Sequence, residues 1–370
     1  MTTKKDNSKF WNQLNKSFGG KMFRGDSPIM SSNPVIPFPS PTLADASHYG
    51  GLPLGHIAHF YGPEGCGKTF FAMMMVKETM DSDPEAEVFW FDCEQSFNIE
   101  WAEHIGIDLT RIHFTSENVG ADVFHMICGK PSATGKGKGT PGILTMNKLG
   151  ETNVKLIVLD SIPALIPPGE MGRGMDEMEM AAMARFLPKA LRVTSKLLAE
   201  TNTAMICINH VRESMGDMVN KYTYPGGKAF KHYLSLNVLF DTTQSRSATL
   251  WDNEDDTENR KKVGHRIDCT IIKTRAGPNK WQARIWFDFI NGKIAKLGEE
   301  VALLGSAYGV VERPNNTKWV YKDHEVTGKD NFFAFLDEHE DIRNQIVRDC
   351  EEAKARGGKR SEGLVQEEEV

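Results

Sequence analysis

The run Gly62, Pro63, Glu64, Gly65, Cys66, Gly67, Lys68, Thr69 fits the pattern G-x-x-x-x-G-K-[ST]. In such a loop glycines turn backbone N–H groups inward onto phosphate oxygens. A lysine reaches the β- and γ-phosphates of a nucleoside triphosphate, and a hydroxyl ligates Mg²⁺. Lys68 and Thr69 hold those two positions. The pattern carries weight only between a strand and a helix. Here "HIAHFY" reads as a strand before it, and "TFFAMMMVKETM" after it is apolar almost all round, as a buried helix is. Phosphate binding follows from that context. What the nucleotide drives does not, because kinases, helicases, transporters and recombinases share the loop.

Three carboxylates are candidates for the rest of the chemistry. Asp160 ends the apolar run "KLIVLD", the arrangement that delivers a carboxylate beside the metal, so Thr69 and Asp160 form the expected metal pair. Asp92 and Glu94 both follow "EVFWF", and a carboxylate there can orient an attacking water as general base. Their spacing puts both on one strand face and does not choose between them. Cys66, at a helix N-terminus, stands where a thiol pKa can fall, although loop filling is the plainer reading.

The elements that must position these residues are those of an α/β protein. "EVFWFDCE", "KLIVLDS" and "AMICINH" are continuous apolar runs ending in polar residues, the texture of parallel strands covered on both faces. "SLNVLFDTT", "RIDCTIIKTR" and "WQARIWFDF" follow with short connections and read as antiparallel additions to the same sheet. Residues 8 to 19 read as a short helix with Phe10, Trp11, Leu14 and Phe18 at helical spacing, and the Pro/Ser-rich 26–49 as an extended linker. The stretches 129–142, 167–180 and 212–228 read as mobile loops, and 244–262 as the tip of a hairpin. From about 301 the pattern is a smaller α+β unit closing with a charged helix and an unstructured acidic tail.

Composition sets outer limits. The 370 residues are 40% hydrophobic and 25% charged, ordinary soluble usage. No apolar run is long enough to span a bilayer, and the N-terminus lacks a secretory signal. The six cysteines have no paired or metal-ligand spacing and fit a reducing, cytoplasmic compartment. A net charge of −6 argues against a uniformly basic nucleic-acid binder. It leaves room for a local basic track, since phosphate contacts act within about 10 Å.

The order of motifs resembles the RecA recombinases, and within them the phage UvsX-type branch. "NKSFGGKMFRGDS", "GGLPLGHIAHFYGPEGCGKT", "FDCEQSFNIEWAEHIGID", "LIVLDSIPALIP", "ICINHVR", "PGGKAFKHY" and "TIIKTRAGP" follow one another as they do there. The C-terminal unit "YGVVERPNNTKWVYKDHEVTGKDNFFAFLDEH" completes the set, so the resemblance covers most of the chain. It implies a RecA-like P-loop ATPase core, a mostly parallel twisted sheet flanked by helices, spanning 51–300. Before it, 1–50 is an N-terminal polymerisation helix and linker; after it come a small α+β domain at 301–356 and an acidic tail at 357–370. The implied activity is DNA-dependent ATP hydrolysis with Mg²⁺, in head-to-tail filaments on single-stranded DNA that pair and exchange strands with duplex DNA. Single-strand-binding and loading proteins are implied partners.

The resemblance also assigns roles. Glu94 takes the position of the catalytic glutamate, Trp101 that of the ring stacked on adenine, and Asn98 that of a partner for the adenine amino group. His210 stands where bacterial members carry the glutamine that senses the γ-phosphate. Lys273 and Arg275 match basic residues that reach a neighbour's γ-phosphate. The stretches 167–180 and 212–228 correspond to the DNA-binding loops. Arg173, Met180, Arg185, Arg212, Met215, Lys221, Tyr222, Gly226, Gly227 and Lys228 are their candidate contacts, reading DNA through charge, close backbone approach and stacking. Arg185 and Arg192 also fit plain surface charges. This chain departs from the bacterial pattern at Phe70, where a second threonine is common, and in the Gly/Lys-rich 129–142 insertion. Two rivals remain at this stage: a ring-forming helicase, for which the N-terminal segment leaves no docking domain, and a filament regulator that barely hydrolyses ATP.

Overall fold

The computed structural model describes residues 8–17, 34–132, 139–168, 182–213, 222–242, 248–253, 259–358 and 360. Phe18, Arg173, Met180, Met215 and Lys221 lie outside them. Helix α1 (Ser8–Ser17) belongs to a unit separate from Val35–Val370. On it Phe10 and Trp11 are 58% and 54% exposed, their rings edge to face at 5.3 Å.

The larger unit opens where the sequence reads as linker. Strand β1 (Val35–Pro37) pairs antiparallel with β2 (Gly51–Pro53), and α2 (Pro41–Ser47) lies between them. Ser40 caps α2, its Oγ accepting from the Leu43 N–H at 3.2 Å, and Pro41 stands at the first turn, where its missing N–H costs nothing. Leu43, Ala46 and Leu52 are fully buried. Residues 35–49 therefore pack with the core and are not an extended linker; Pro37 ends a strand, Pro39 lies in the bend that follows and Pro41 starts a helix, places that tolerate proline.

The core is one ten-stranded sheet. Its order is β14 (Lys293–Ala295), β13 (Gln282–Asp288), β12 (Lys262–Thr274), β10 (Leu234–Thr242), β3 (Ile57–Gly62), β7 (Ala204–His210), β6 (Val154–Asp160), β4 (Glu87–Asp92) and β5 (Ile112–Thr115). Strand β11 (Thr249–Trp251) pairs with β12, so the excursion after 244 does lead into a hairpin. From β10 to β5 every pair is parallel, while β12, β13 and β14 run antiparallel. Strand β10 thus departs from the antiparallel expectation. The chain reaches it through a long crossover, not a tight turn, and a crossover permits parallel pairing with β3.

Both faces of the sheet are covered. Leu156 and Val158 of β6 face a cluster with Phe70, Phe71 and Val76 of α3 (Lys68–Ser82). Their neighbours Ile157 and Leu159 face the opposite cluster. That cluster takes in Val123 of α5 (Gly120–Cys128), Leu144 of α6 (Ile143–Leu149) and Leu191 of α7 (Ala182–Thr201). The period-2 alternation of a strand between two apolar layers explains why these runs are continuously hydrophobic. Between β4 and β5 lies α4 (Ile99–Ile105), and α8 (Gly227–Tyr233) leads into β10. Among the described residues no helix is long and apolar enough to cross a membrane.

The C-terminal residues gather around their own cluster, with Val301, Leu304, Trp319, Phe332 and Ile346 buried in it. It is built from α9 (Leu297–Ala307), the hairpin β15 (Lys318–Tyr321) and β16 (His324–Thr327), α10 (Lys329–Glu338) and α11 (Glu340–Ala355). Polar contacts clip this cluster to α2. Asp45 accepts from Tyr308 and Lys354, each at 2.8 Å, and lies 3.2 Å from Arg360. Glu300 accepts from the hydroxyls of Ser40 and Thr42 at 2.6 and 2.8 Å.

Glu300 is buried, and its Oε1 has no partner. Burial pushes its carboxyl up to about 7, against the pull of the Ser40 and Thr42 donors. A folded pKa raised above the unfolded one favours folding below the unfolded pKa, and that contribution fades as pH rises through the folded value. Glu300→Gln keeps the shape without the charge. It is expected to melt higher than the wild type at pH 8, by on the order of 1–3 kcal/mol of stability, with the gap closing toward pH 5. Thermal melts across pH 5–8 check this; a gap constant with pH contradicts it.

Candidate nucleotide site

Parallel register brings the candidate residues to one edge. Gly62 at the end of β3 is paired with His210 at the end of β7, and Asp92 at the end of β4 with Asp160 at the end of β6. The crevice outside the carboxyl ends of parallel strands is where open α/β sheets bind ligands.

The loop after β3 turns at Gly65 and at Gly67, whose φ of 78° is left-handed. A Cβ at Gly67 would also stand 2.6 Å from the Phe287 ring, so this position admits only glycine. Lys68, 4% exposed, folds back on the loop: its Nζ donates to the Gly62 and Pro63 carbonyls at 3.1 and 2.6 Å and lies 3.5 Å from Cys66 Sγ. Burial pushes the Cys66 thiol up, against the opposing pull of Lys68. The helix N-terminus therefore does not activate this thiol; Cys66 fills the loop. All six cysteines are free.

Thr69 Oγ1 donates to Asp160 Oδ2 at 3.0 Å. Asp160 is 1% exposed and its Oδ1 has no partner. Burial pushes this carboxyl up to about 7; the Thr69 bond opposes that, and the charges of Glu94 and Asp92 add to it. A buried carboxylate costs several kcal/mol, and one neutral hydrogen bond returns about 1. An oxygen-ligated divalent cation would supply the missing charge, so the pair fits Mg²⁺.

The two carboxylates that spacing left open are separated by geometry. Asp92 accepts from the Ser96 and Phe97 N–H groups at 3.0 and 3.1 Å and so holds the turn after β4. Glu94 points into the crevice. Its Oε1 accepts from the Ser161 hydroxyl and lies 3.1 Å from His210 Nε2. Beside His210, the buried Asn209 donates through Nδ2 to the Pro225 carbonyl at 3.1 Å. Trp101 lies half-buried, one face on Phe70 at 5.1 Å and its Nε1 donating to the Phe289 carbonyl. Only its other face can take an adenine. Phe70, the departure from the common threonine, is the ring that supports it. Asn98 caps α4, its Oδ1 accepting from the Trp101 N–H at 2.9 Å, which leaves its amide donors.

Lys273 and Arg275 reach adjacent carbonyls. Lys273 Nζ donates to the Lys231 carbonyl at 2.6 Å and Arg275 Nη2 to the His232 carbonyl at 2.8 Å, both at the C-terminal end of α8.

Of the two loop stretches, the roots are described. Strand β8 (Arg212–Glu213) pairs with β9 (Tyr222–Thr223) and closes the base of 212–228. Gly226 and Gly227 adopt positive φ as α8 begins, and a Cβ on Gly227 would stand 3.2 Å from Ala184 Cβ, one residue before the exposed Arg185. Ala184, four residues past the first stretch, therefore adjoins the end of the second. Ser161 and the α8 carbonyls escaped sequence reasoning. Ser161 follows Asp160 directly, yet spacing gives it no role, and a carbonyl partner has no residue type to read.

A phosphate loop, a buried carboxylate at the metal position and a second carboxylate facing them, on one edge of a mainly parallel sheet, define a P-loop ATPase core. Residues 7–293 match the RecA N-terminal domain. Proteins similar to this chain include Protein RecA of Lactiplantibacillus plantarum, 28% identical over 95% of this chain and 85% of that protein. Protein RecA of Macrococcus caseolyticus is 28% identical over 96% and 93%, and that of Mycobacteroides abscessus 30% over 92% and 90%. The chain belongs to the RecA family, DNA-dependent ATPases and strand-exchange recombinases.

Asp160→Asn removes the buried charge and the cation ligand together. At pH 8 and without nucleotide the variant is expected to melt a few degrees higher than the wild type, roughly 2–4 °C per kcal/mol recovered, the gap closing below about pH 6 where Asp160 is protonated. The stabilisation that Mg²⁺ with ATP gives the wild type should be lost. Melts with and without Mg²⁺ and ATP check both; a variant that keeps the ligand-induced shift contradicts the metal assignment.

Proposed function

We propose that the protein polymerises head to tail on single-stranded DNA and promotes homologous pairing and strand exchange, hydrolysing ATP at joints between neighbouring copies. The observation that carries this is the physical link from phosphate site to loop. His210 touches Glu94, and the adjacent Asn209 holds Pro225 at the exit of the 212–228 stretch.

In this reading Lys68 leaves the Gly62 and Pro63 carbonyls for the β- and γ-phosphates, and Thr69 and Asp160 hold Mg²⁺, which neutralises phosphate charge. Glu94 takes the proton of the attacking water, and Trp101 and Asn98 receive the adenine. His210 senses the γ-phosphate. Lys273 and Arg275 rest on α8 until a neighbour offers its γ-phosphate. At a helix C-terminus a cation meets only a partial negative charge, worth about 0.3–1 kcal/mol, whereas a phosphate is a fully ionised acceptor, so the phosphate wins. Their departure frees the C-terminal end of α8, whose start carries the 212–228 stretch.

Arg173, Arg185, Arg212, Lys221 and Lys228 would supply charge to the DNA backbone, with Met180, Met215 and Tyr222 against bases and Gly226 and Gly227 allowing close approach. Duplex DNA is the exchange partner, and single-strand-binding and loading proteins would assist in the cytoplasm. The exposed Phe10–Trp11 pair on α1 supports a polymerisation arm in the first part of 1–50, residues 35–49 packing instead with the ATPase core proposed at 51–300, which a small domain at 301–356 follows. His210 in place of glutamine supports the phage UvsX-type branch.

The test is ATP hydrolysis measured against single-stranded DNA concentration, with the same samples imaged. DNA-stimulated turnover with helical filaments is expected; a monomer with ATP and DNA at low ionic strength ends this reading. Lys68→Ala should lower turnover at least about 100-fold, as loss of a transition-state phosphate contact does. For His210→Ala, the preference for DNA with ATP over ADP should shrink; an unchanged ratio excludes the sensing role.

A further inference from the structure

Glu94 lies on a turn and its side chain is 31% exposed, so by itself it would sample several rotamers. A base must be held close to its productive geometry to act. Two donors meet the carboxylate, and both take the same oxygen. His210 belongs to the sensing apparatus and is itself 36% exposed. Ser161 is different: it is fully buried and follows the last residue of β6, whose parallel ladders to β4 and β7 fix the backbone there. The Asp160 carbonyl accepts from the Cys93 N–H at 2.7 Å, tying that strand end to the residue before Glu94.

We infer that Ser161 is a positioning residue for the reaction, holding Glu94 through Oε1 whether or not His210 is engaged. Because both donors use Oε1, Oε2 takes no hydrogen bond among the described residues. It is the oxygen left to receive a proton from water. A carboxylate can only accept, so the Ser161 hydroxyl donates and its hydrogen is committed to Glu94. When His210 turns to a phosphate, Glu94 loses one donor and keeps the buried one. A base held only by the sensor would be released when the triphosphate arrives; Ser161 removes that conflict.

The inference rests on the reading of Glu94 as base, and the experiment separates the two. Steady-state, DNA-stimulated ATP hydrolysis is measured for Ser161→Ala, Glu94→Gln and the double variant, together with binding of a non-hydrolysable ATP analogue. Ser161→Ala is expected to lower kcat roughly tenfold, with KM for ATP and analogue affinity changed less than about twofold. In the Glu94→Gln background the same change should lower the residual turnover no further, because the two residues act as one unit. Ser161→Cys, near in size but a weaker donor, should fall between serine and alanine, which separates a lost donor from a disturbed fold. An unchanged kcat, a tenfold rise in KM, or an equal loss in both backgrounds overturns the role of Ser161 and leaves Glu94 as base. Wild-type turnover by Glu94→Gln overturns both.

Discussion

Parallel pairing is the constraint on which the rest of this structure depends. Strands that run the same way end on the same side, and the register pairs Gly62 with His210 and Asp92 with Asp160. Residues distant in sequence thereby line up at the ends of four adjacent strands, along roughly 15 Å of one edge. The apolar interiors of these strands hold that alignment. Each fully buried Phe, Leu or Ile contributes about 1.5–3 kcal/mol, enough together to tolerate a carboxylate, an ammonium and an amide at the rim. Those rim groups are where the fold carries unmet demands: an unpartnered oxygen on Asp160 and a lysine folded back on loop carbonyls. On the proposed reading, a metal-bound triphosphate would meet both at once.

From that edge two routes lead to the segments read as DNA-binding. One is short and internal, from Glu94 through His210 and Asn209 to Pro225. The other lies at the far end of α8, where Lys273 and Arg275 rest on carbonyls of the helix that follows the same stretch. On the proposed reading, the first route reports the subunit's own nucleotide and the second a neighbour's. Both converge on residues 222–233. A ligand shifts such an equilibrium only through differential contacts, and here the resting and engaged partners of each cation differ in kind: a neutral carbonyl against a charged phosphate.

Much of this was legible in the sequence, for physical reasons that can be named. Strands β4, β6 and β7 are continuous apolar runs ending in a polar residue, because both faces are covered and only the end is wet. The phosphate loop has few alternatives at Gly67, where φ and Phe287 both exclude a side chain. Direction and depth were harder. Nothing in the composition of "SLNVLFDTT" tells parallel from antiparallel; the crossover before it decides. The prolines of 35–49 looked like linker until Ser40 and Pro41 proved to start a helix. Cys66 sits at a helix N-terminus, which lowers a thiol pKa, yet burial outweighs that. Ser161 has a residue type too common to signal, and partners separated by 67 positions come together only through the sheet.

The central claim is that each ATP is hydrolysed by residues from two copies, Glu94 of one and Lys273 with Arg275 of the next. Mixing two inactive proteins tests it most directly: Glu94→Gln and Lys273→Ala/Arg275→Ala, equimolar, on single-stranded DNA. In a random head-to-tail filament about a quarter of the joints contain a complete site, so the mixture should recover up to about that share of wild-type turnover. A mixture as inactive as its parts, in samples where imaging shows co-assembled filaments, would contradict the account.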